Sequence, residues 1–211
     1  MENIFRIDGW FFKAGLKIWH LLTLNLCILL ASLPLVTIGA AQTAGFVVIK
    51  RMIEVDESKI IETFFKAFKE NFKKSTILWS MFAGILYFLW LDWQFILVMN
   101  QSIFVLIGVG IVTLVALNLF QYSFFYQAVF KDSVKQTFKN TVKLLIKRPI
   151  VSMLLVVLMI GPFILMGLSS YLLIFGIYIN LFVGISFHLY IRTFVLLYVF
   201  KNQLQKEEPI E

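Results

Sequence analysis

Five residues recur every fourth position in the last apolar stretch of the chain: Gly176, Asn180, Gly184, His188 and Arg192. On a helix this spacing draws one stripe, with two small residues, one amide, one imidazole and one guanidinium. Such a stripe suits either of two roles. It can line a solute path or meet another subunit, since ionisable residues inside a membrane mark functional positions. It can also pack helices through its glycines, with His188 and Arg192 reaching the inner headgroups. The packing role is the preferred reading. His20 and His188 are the only histidines, and without matched carboxylates they make a poor metal site. No phosphate-binding loop, nucleophile elbow or His-Glu-x-x-His motif occurs. The expectation is a protein without a catalytic site, a cofactor or a metal. Nearly absent intramembrane carboxylates also argue against proton-coupled pumping.

The elements that must carry this stripe are membrane helices. A hydrophobic fraction of 60% over 211 residues, with a mean hydropathy of +0.88, is too high for a soluble surface. Apolar runs of about 20 residues match a hydrocarbon core of about 30 Å. One interruption decides the topology. Leu33-Pro34-Leu35-Val36-Thr37-Ile38-Gly39-Ala40-Ala41 breaks a run from Ile18 to Ile49. Pro34 cannot donate to a helical ladder and biases Leu33 toward extended geometry, and Gly39 permits turn angles. The alternative is a proline kink in one long helix.

Basic residues stay on the cytoplasmic side of short loops. A turn at the hinge collects all 19 Lys and Arg residues on one side. Three precede or open span 1, seven lie between Lys50 and Lys74, six between Lys131 and Arg148, and three in the tail. The reading is therefore one integral membrane unit over residues 1–211, all-α, with about six spans in three hairpins and both termini inside. The spans run approximately Ala14–Leu33, Ile38–Met52, Ser75–Val98, Ile103–Tyr126, Pro149–Leu168 and Tyr171–Tyr198, with the hinge near Val36 outside. The first helix exceeds a signal peptide in length and is expected to remain uncleaved. The short second span needs close packing or a thinned bilayer. Its pairs Ala40/Ala44 and Ala41/Gly45 permit close helix approach.

Two amphipathic helices are expected on the inner surface. The first, between Glu54 and Lys74, puts Ile61, Phe64, Phe65, Phe68 and Phe72 on one face. The second, Phe130 to Arg148, carries Lys131, Lys135, Lys139, Lys143 and Lys147 at a spacing of four, opposite Val134, Phe138 and Val142. Phe64, Phe68, Phe72 and the five lysines are candidate lipid or docking contacts. A net charge of +7 placed beside spans favours anionic lipid over nucleic acid. Asn25, Gln42, Asn118 and Gln121 are expected to bridge helices rather than bind ligands. Asp92, beside Trp90 and Trp93, belongs to an aromatic belt at the outer interface.

The hinge, followed by Phe64-Phe65-Lys66-Ala67-Phe68-Lys69-Glu70-Asn71-Phe72, resembles the YesL-type bacterial membrane proteins, a family classed as a domain of unknown function. The resemblance covers essentially the whole chain. It implies a bacterial cell-membrane location and an accessory role beside an ATP-binding-cassette importer of oligosaccharides. The implied partners are permease or ATPase subunits of that importer. An independent small-solute transporter, with its path between the hairpins, is the alternative. The family supplies no catalytic residues to carry over.

Overall fold

A computed structural model describes residues 10–55, 58–99, 102–130 and 132–207. In chain order these form helix α1 (Trp10–Ala31), a 3-10 turn (Leu35–Thr37), α2 (Ile38–Glu54), α3 (Ile60–Met99) and α4 (Ile103–Val129). There follow α5 (Val134–Lys147), α6 (Pro149–Gly167), α7 (Ser170–Ile179), a π-helical turn (Asn180–Gly184) and α8 (Ile185–Glu207). No strand occurs among the described residues. Six stretches are long and apolar enough to cross a membrane. The all-α, multi-pass reading of the sequence is correct.

The hinge breaks the helix outright. Pro34 is extended, with φ −74° and ψ 119°. Thr37 then closes the turn by donating its hydroxyl to Ala31 O at 2.6 Å and to Pro34 O at 2.7 Å. The Ala31 carbonyl lies at a helix end, where a ladder leaves it without a partner, and the Pro34 carbonyl also accepts from Thr37 N at 2.9 Å. Gly39 does not serve as a turn residue, contrary to expectation. It sits in the first turn of α2, where a Cβ would come 2.6 Å from Trp79 Cβ and 2.7 Å from Ser75 O. Its role is close approach. Ala40, Ala41 and Ala44 have no exposed surface, so close packing, as expected of a short span, surrounds α2.

The first amphipathic segment is not a separate helix. It forms the opening turns of α3, a single 40-residue helix. Nothing between Lys73 and Ile77 can end a helix, since the segment holds neither Pro nor Gly. The buried face is also rotated from the expected one. Ile60, Thr63, Phe64 and Ala67 are buried, whereas Ile61, Phe65 and Phe72 are exposed. The second amphipathic segment does stand alone as α5. Ser133 caps its start by accepting from Gln136 N. Arg148, constrained by the following proline, leaves the helix at φ −135° and ψ 64°.

Paired contacts fix the helix directions. Ile28 lies beside Gly45, and Thr43 bonds Ser75 at 2.8 Å. Trp93 donates to Thr113 at 3.1 Å, and Phe82 packs edge-on against Phe120. Met166 meets Gly176 while Arg148 reaches Tyr198. These registers make α1/α2, α2/α3, α3/α4 and α6/α7–α8 antiparallel pairs. Three hairpins result, as the sequence suggests. Between them lies an aromatic core in which Phe46, Phe64, Phe82, Tyr122, Phe124, Phe125 and Phe200 are almost fully enclosed.

The hairpins differ in height. Gly39, next to the hinge, comes level with Ser75 and Trp79 on α3. Residues 80–99 of α3 continue beyond it for about 30 Å at 1.5 Å per residue.

Candidate functional site

A cavity of about 380 Å³ lies just behind the hinge. Ile28 of α1, Ser32 just past its end, and Ile38 and Gln42 of α2 contribute to its lining. Phe120 of α4 forms its floor, and Leu158, Met159 and Phe163 of α6 form an apolar wall. Asn180, His188 and Arg192 close the remaining side. Three members of the polar stripe therefore meet in one place, together with Gln42 from a different hairpin.

The two glycines of the stripe behave differently. A Cβ on Gly176 would strike Met166, and one on Gly184 would strike the Asn180 side chain. Gly176 lets α6 and α7 approach, whereas Gly184 leaves room for the Asn180 side chain of its own span, and neither lines the cavity. His188 and Arg192 face the cavity, where the preferred reading had sent them to the inner headgroups.

Asn180 opens the π-helical turn that interrupts the last span. Such turns widen the helix by one residue and leave carbonyls without their usual partners. Asn25, completely buried, repairs this one. Its amide donates to Asn180 O at 3.0 Å and Leu181 O at 2.9 Å, while its oxygen accepts from Ser186 N at 2.9 Å. Ser186 adds a bond to Leu21 O at 2.8 Å. Asn180 itself donates to Gly176 O at 2.8 Å. This frame holds the stripe at a fixed angle to α1. The sequence shows Asn25 as a bridging residue but contains no signal for a π turn.

Among the described residues Arg192 is the one Lys or Arg that lines this cavity. It is half-buried, and its Nε is fully enclosed without a hydrogen-bond partner. No Asp or Glu lines the cavity. The described carboxylates lie elsewhere. Glu54 pairs with Lys50 at 3.5 Å and Glu62 with Lys59 at 3.7 Å. Asp132 accepts from Tyr126 at 2.7 Å. Asp92 is exposed on the long α3/α4 hairpin.

Of the other polar residues expected to bridge helices, Gln121 donates to Leu155 O at 3.2 Å and so ties α4 to α6. Asn118 only bonds back to Leu114 O within α4. Among the described residues no group of three His, Cys, Asp or Glu comes together to hold a metal.

The candidate docking residues fall on α5 and the first turns of α3, outside the cavity lining. Lys135, Lys139, Lys143 and Lys147 are exposed along α5; Lys131 lies outside the described residues. The buried side of α5 is Thr137, Thr141 and Leu144, not the expected Val134, Phe138 and Val142. Hydroxyl contacts to Gln127 and Ser123 of α4, both at 3.4 Å, set that orientation. Of the aromatic trio, Phe64 is in the core, Phe68 is partly buried and stacks on it, and Phe72 is exposed. Phe64 is thus excluded as an external contact by its burial.

The sequence model of a family described as a protein of unknown function, DUF624, matches residues 18–93. That stretch covers the second part of α1, the hinge, α2 and most of α3. It includes the α1 and α2 wall of the cavity and stops short of α6 and α8. No curated protein and no solved structure matches the chain.

Proposed function

We propose that the chain is a non-enzymatic accessory subunit of an oligosaccharide importer driven by an ATP-binding cassette. Its setting is the bacterial cell membrane, with both termini cytoplasmic. The YesL-type resemblance motivates the importer, and the distribution of basic residues supports the orientation. The observation that carries the docking role is the exposed face of α5. Four lysines stand there, and among the described residues no ion pair links any of them to a carboxylate. Such a face attracts anionic lipid at about 1 kcal/mol per lysine, and an acidic surface on a permease or ATPase subunit would meet it equally well.

Single reversals to Glu at Lys135, Lys139, Lys143 and Lys147 distinguish the two. Docking predicts that one or two reversals abolish co-purification of importer subunits and oligosaccharide uptake while membrane insertion persists. Small, equal losses at all four would leave lipid as the sole partner of α5.

The cavity favours a second reading, an independent small-solute transporter with its path between the hairpins. Solute flux into vesicles that contain this protein alone would establish it. Absence of flux, with uptake restored by importer subunits, would remove it.

A further inference from the structure

We infer that the cavity behind the hinge is a binding site for an anionic oxygen group, a phosphate or carboxylate carried on an apolar body, and that Arg192 is its anchor. The inference stands independently of importer docking, which concerns the exposed face of α5 and none of the residues that line the cavity.

A guanidinium remains charged under all ordinary conditions. Buried charges are paired, because an isolated one is strongly disfavoured in a low-dielectric interior. The Arg192 Nε is enclosed and bonds nothing, and among the described residues no carboxylate lines the cavity to pair with the guanidinium. The planar fork of the guanidinium matches two oxygens of one carboxylate or phosphate. Neutral hydrogen-bonding groups surround it: Ser32, Gln42, Asn180 and His188. They can donate to further oxygens without adding a competing charge. The opposite wall, Leu158, Met159 and Phe163, is apolar and suits a hydrocarbon portion of the same molecule. The volume is that of a small-ligand pocket.

Irregular backbone borders the cavity on two sides, the hinge turn next to Ser32 and Ile38 and the π turn at Asn180. Within a membrane, non-helical backbone is tolerated where it is buried or lines a cavity. The hinge and the π turn therefore both stand where irregular backbone lines a cavity.

Two sources supply this chemistry, an anionic phospholipid entering beside the hinge or a soluble anion. The test uses the full chain, purified and delipidated in detergent, beside Arg192→Gln. Native mass spectrometry after exchange into phosphatidylglycerol, with phosphatidylcholine as control, reads the lipid arm. Melting temperature in inorganic phosphate, with chloride at equal ionic strength as control, reads the soluble arm. One phosphatidylglycerol retained by wild type and lost in Arg192→Gln would assign a lipid. A phosphate-dependent rise in melting temperature, absent from Arg192→Gln, would assign a soluble anion. No retention and no rise in wild type, or equal responses in both proteins, would overturn the proposal. Should Arg192→Gln fail to fold, Arg192→Lys carries the same test. Loss of the planar fork weakens binding at least about tenfold, and unchanged binding overturns the assignment.

Discussion

The α1/α2 and α3/α4 hairpins are both apolar, yet they solve different problems. In α2 the helix face is made of Gly39, Ala40, Ala41, Ala44 and Gly45, all enclosed by α1, α3, α4 and α8. Along the outer part of α3/α4, Tyr87, Phe88, Phe95, Leu97, Phe104 and Ile107 are more than half exposed. Glycines there, Gly84, Gly108 and Gly110, have nothing within 4 Å of a built Cβ. The α2 arm is packed into protein, whereas the outer part of α3/α4 presents its side chains outward. Hydrophobicity alone does not separate these cases, because lipid tails and a protein interior are equally apolar. Residue size does.

The largest contrast concerns height. The hinge reaches only the level of Trp79, whereas Ser102 caps the far end of α3/α4. In a Cys27→Ser background, Ser102→Cys should react fully with a membrane-impermeant thiol reagent added outside. Val36→Cys should remain unlabelled under the same conditions. Equal labelling would mean that α1 and α2 reach the outer surface, as the sequence-based topology expects, and would erase the difference in height.

A second contrast is in stability. Gly39→Ala sets a Cβ against Trp79 and the Ser75 carbonyl, and overpacking of this kind destabilises by about 1–3 kcal/mol. Gly84→Ala meets open space and gains helix propensity, so its stability should be unchanged or higher by up to about 1 kcal/mol. Thermal melts of the detergent-solubilised protein, read by the monodisperse fraction, compare the two. Similar behaviour at both positions would show that α2 is not the tightly packed element described.

The smallest effect is expected at Asn25. Asn25→Leu removes the partners of Asn180 O, Leu181 O and Ser186 N. Polar contacts between membrane helices contribute about 0.6–1.7 kcal/mol, so a loss in that range is expected in the same melts. A loss near zero would mean that the π turn is held by packing alone.

The sequence by itself determined the helical, multi-pass class, the break at Pro34 and the separate helix before Pro149. Each follows from local chemistry: runs of apolar residues, a missing amide and a pre-proline restriction. It also marked the stripe from Gly176 to Arg192 through spacing alone. Only the tertiary structure decided which face of each amphipathic segment is buried. Ile61 and Phe64 are both apolar, yet Phe64 is enclosed in the core while Ile61 is exposed. Likewise Thr137 and Thr141 turn inward on α5 because Gln127 and Ser123 of α4 await them. The cavity joins Gln42 to Arg192 across 150 residues of chain, and the π turn exists because Asn25 on α1 can satisfy its carbonyls. No local pattern encodes either one, since each depends on groups that meet only after the hairpins pack.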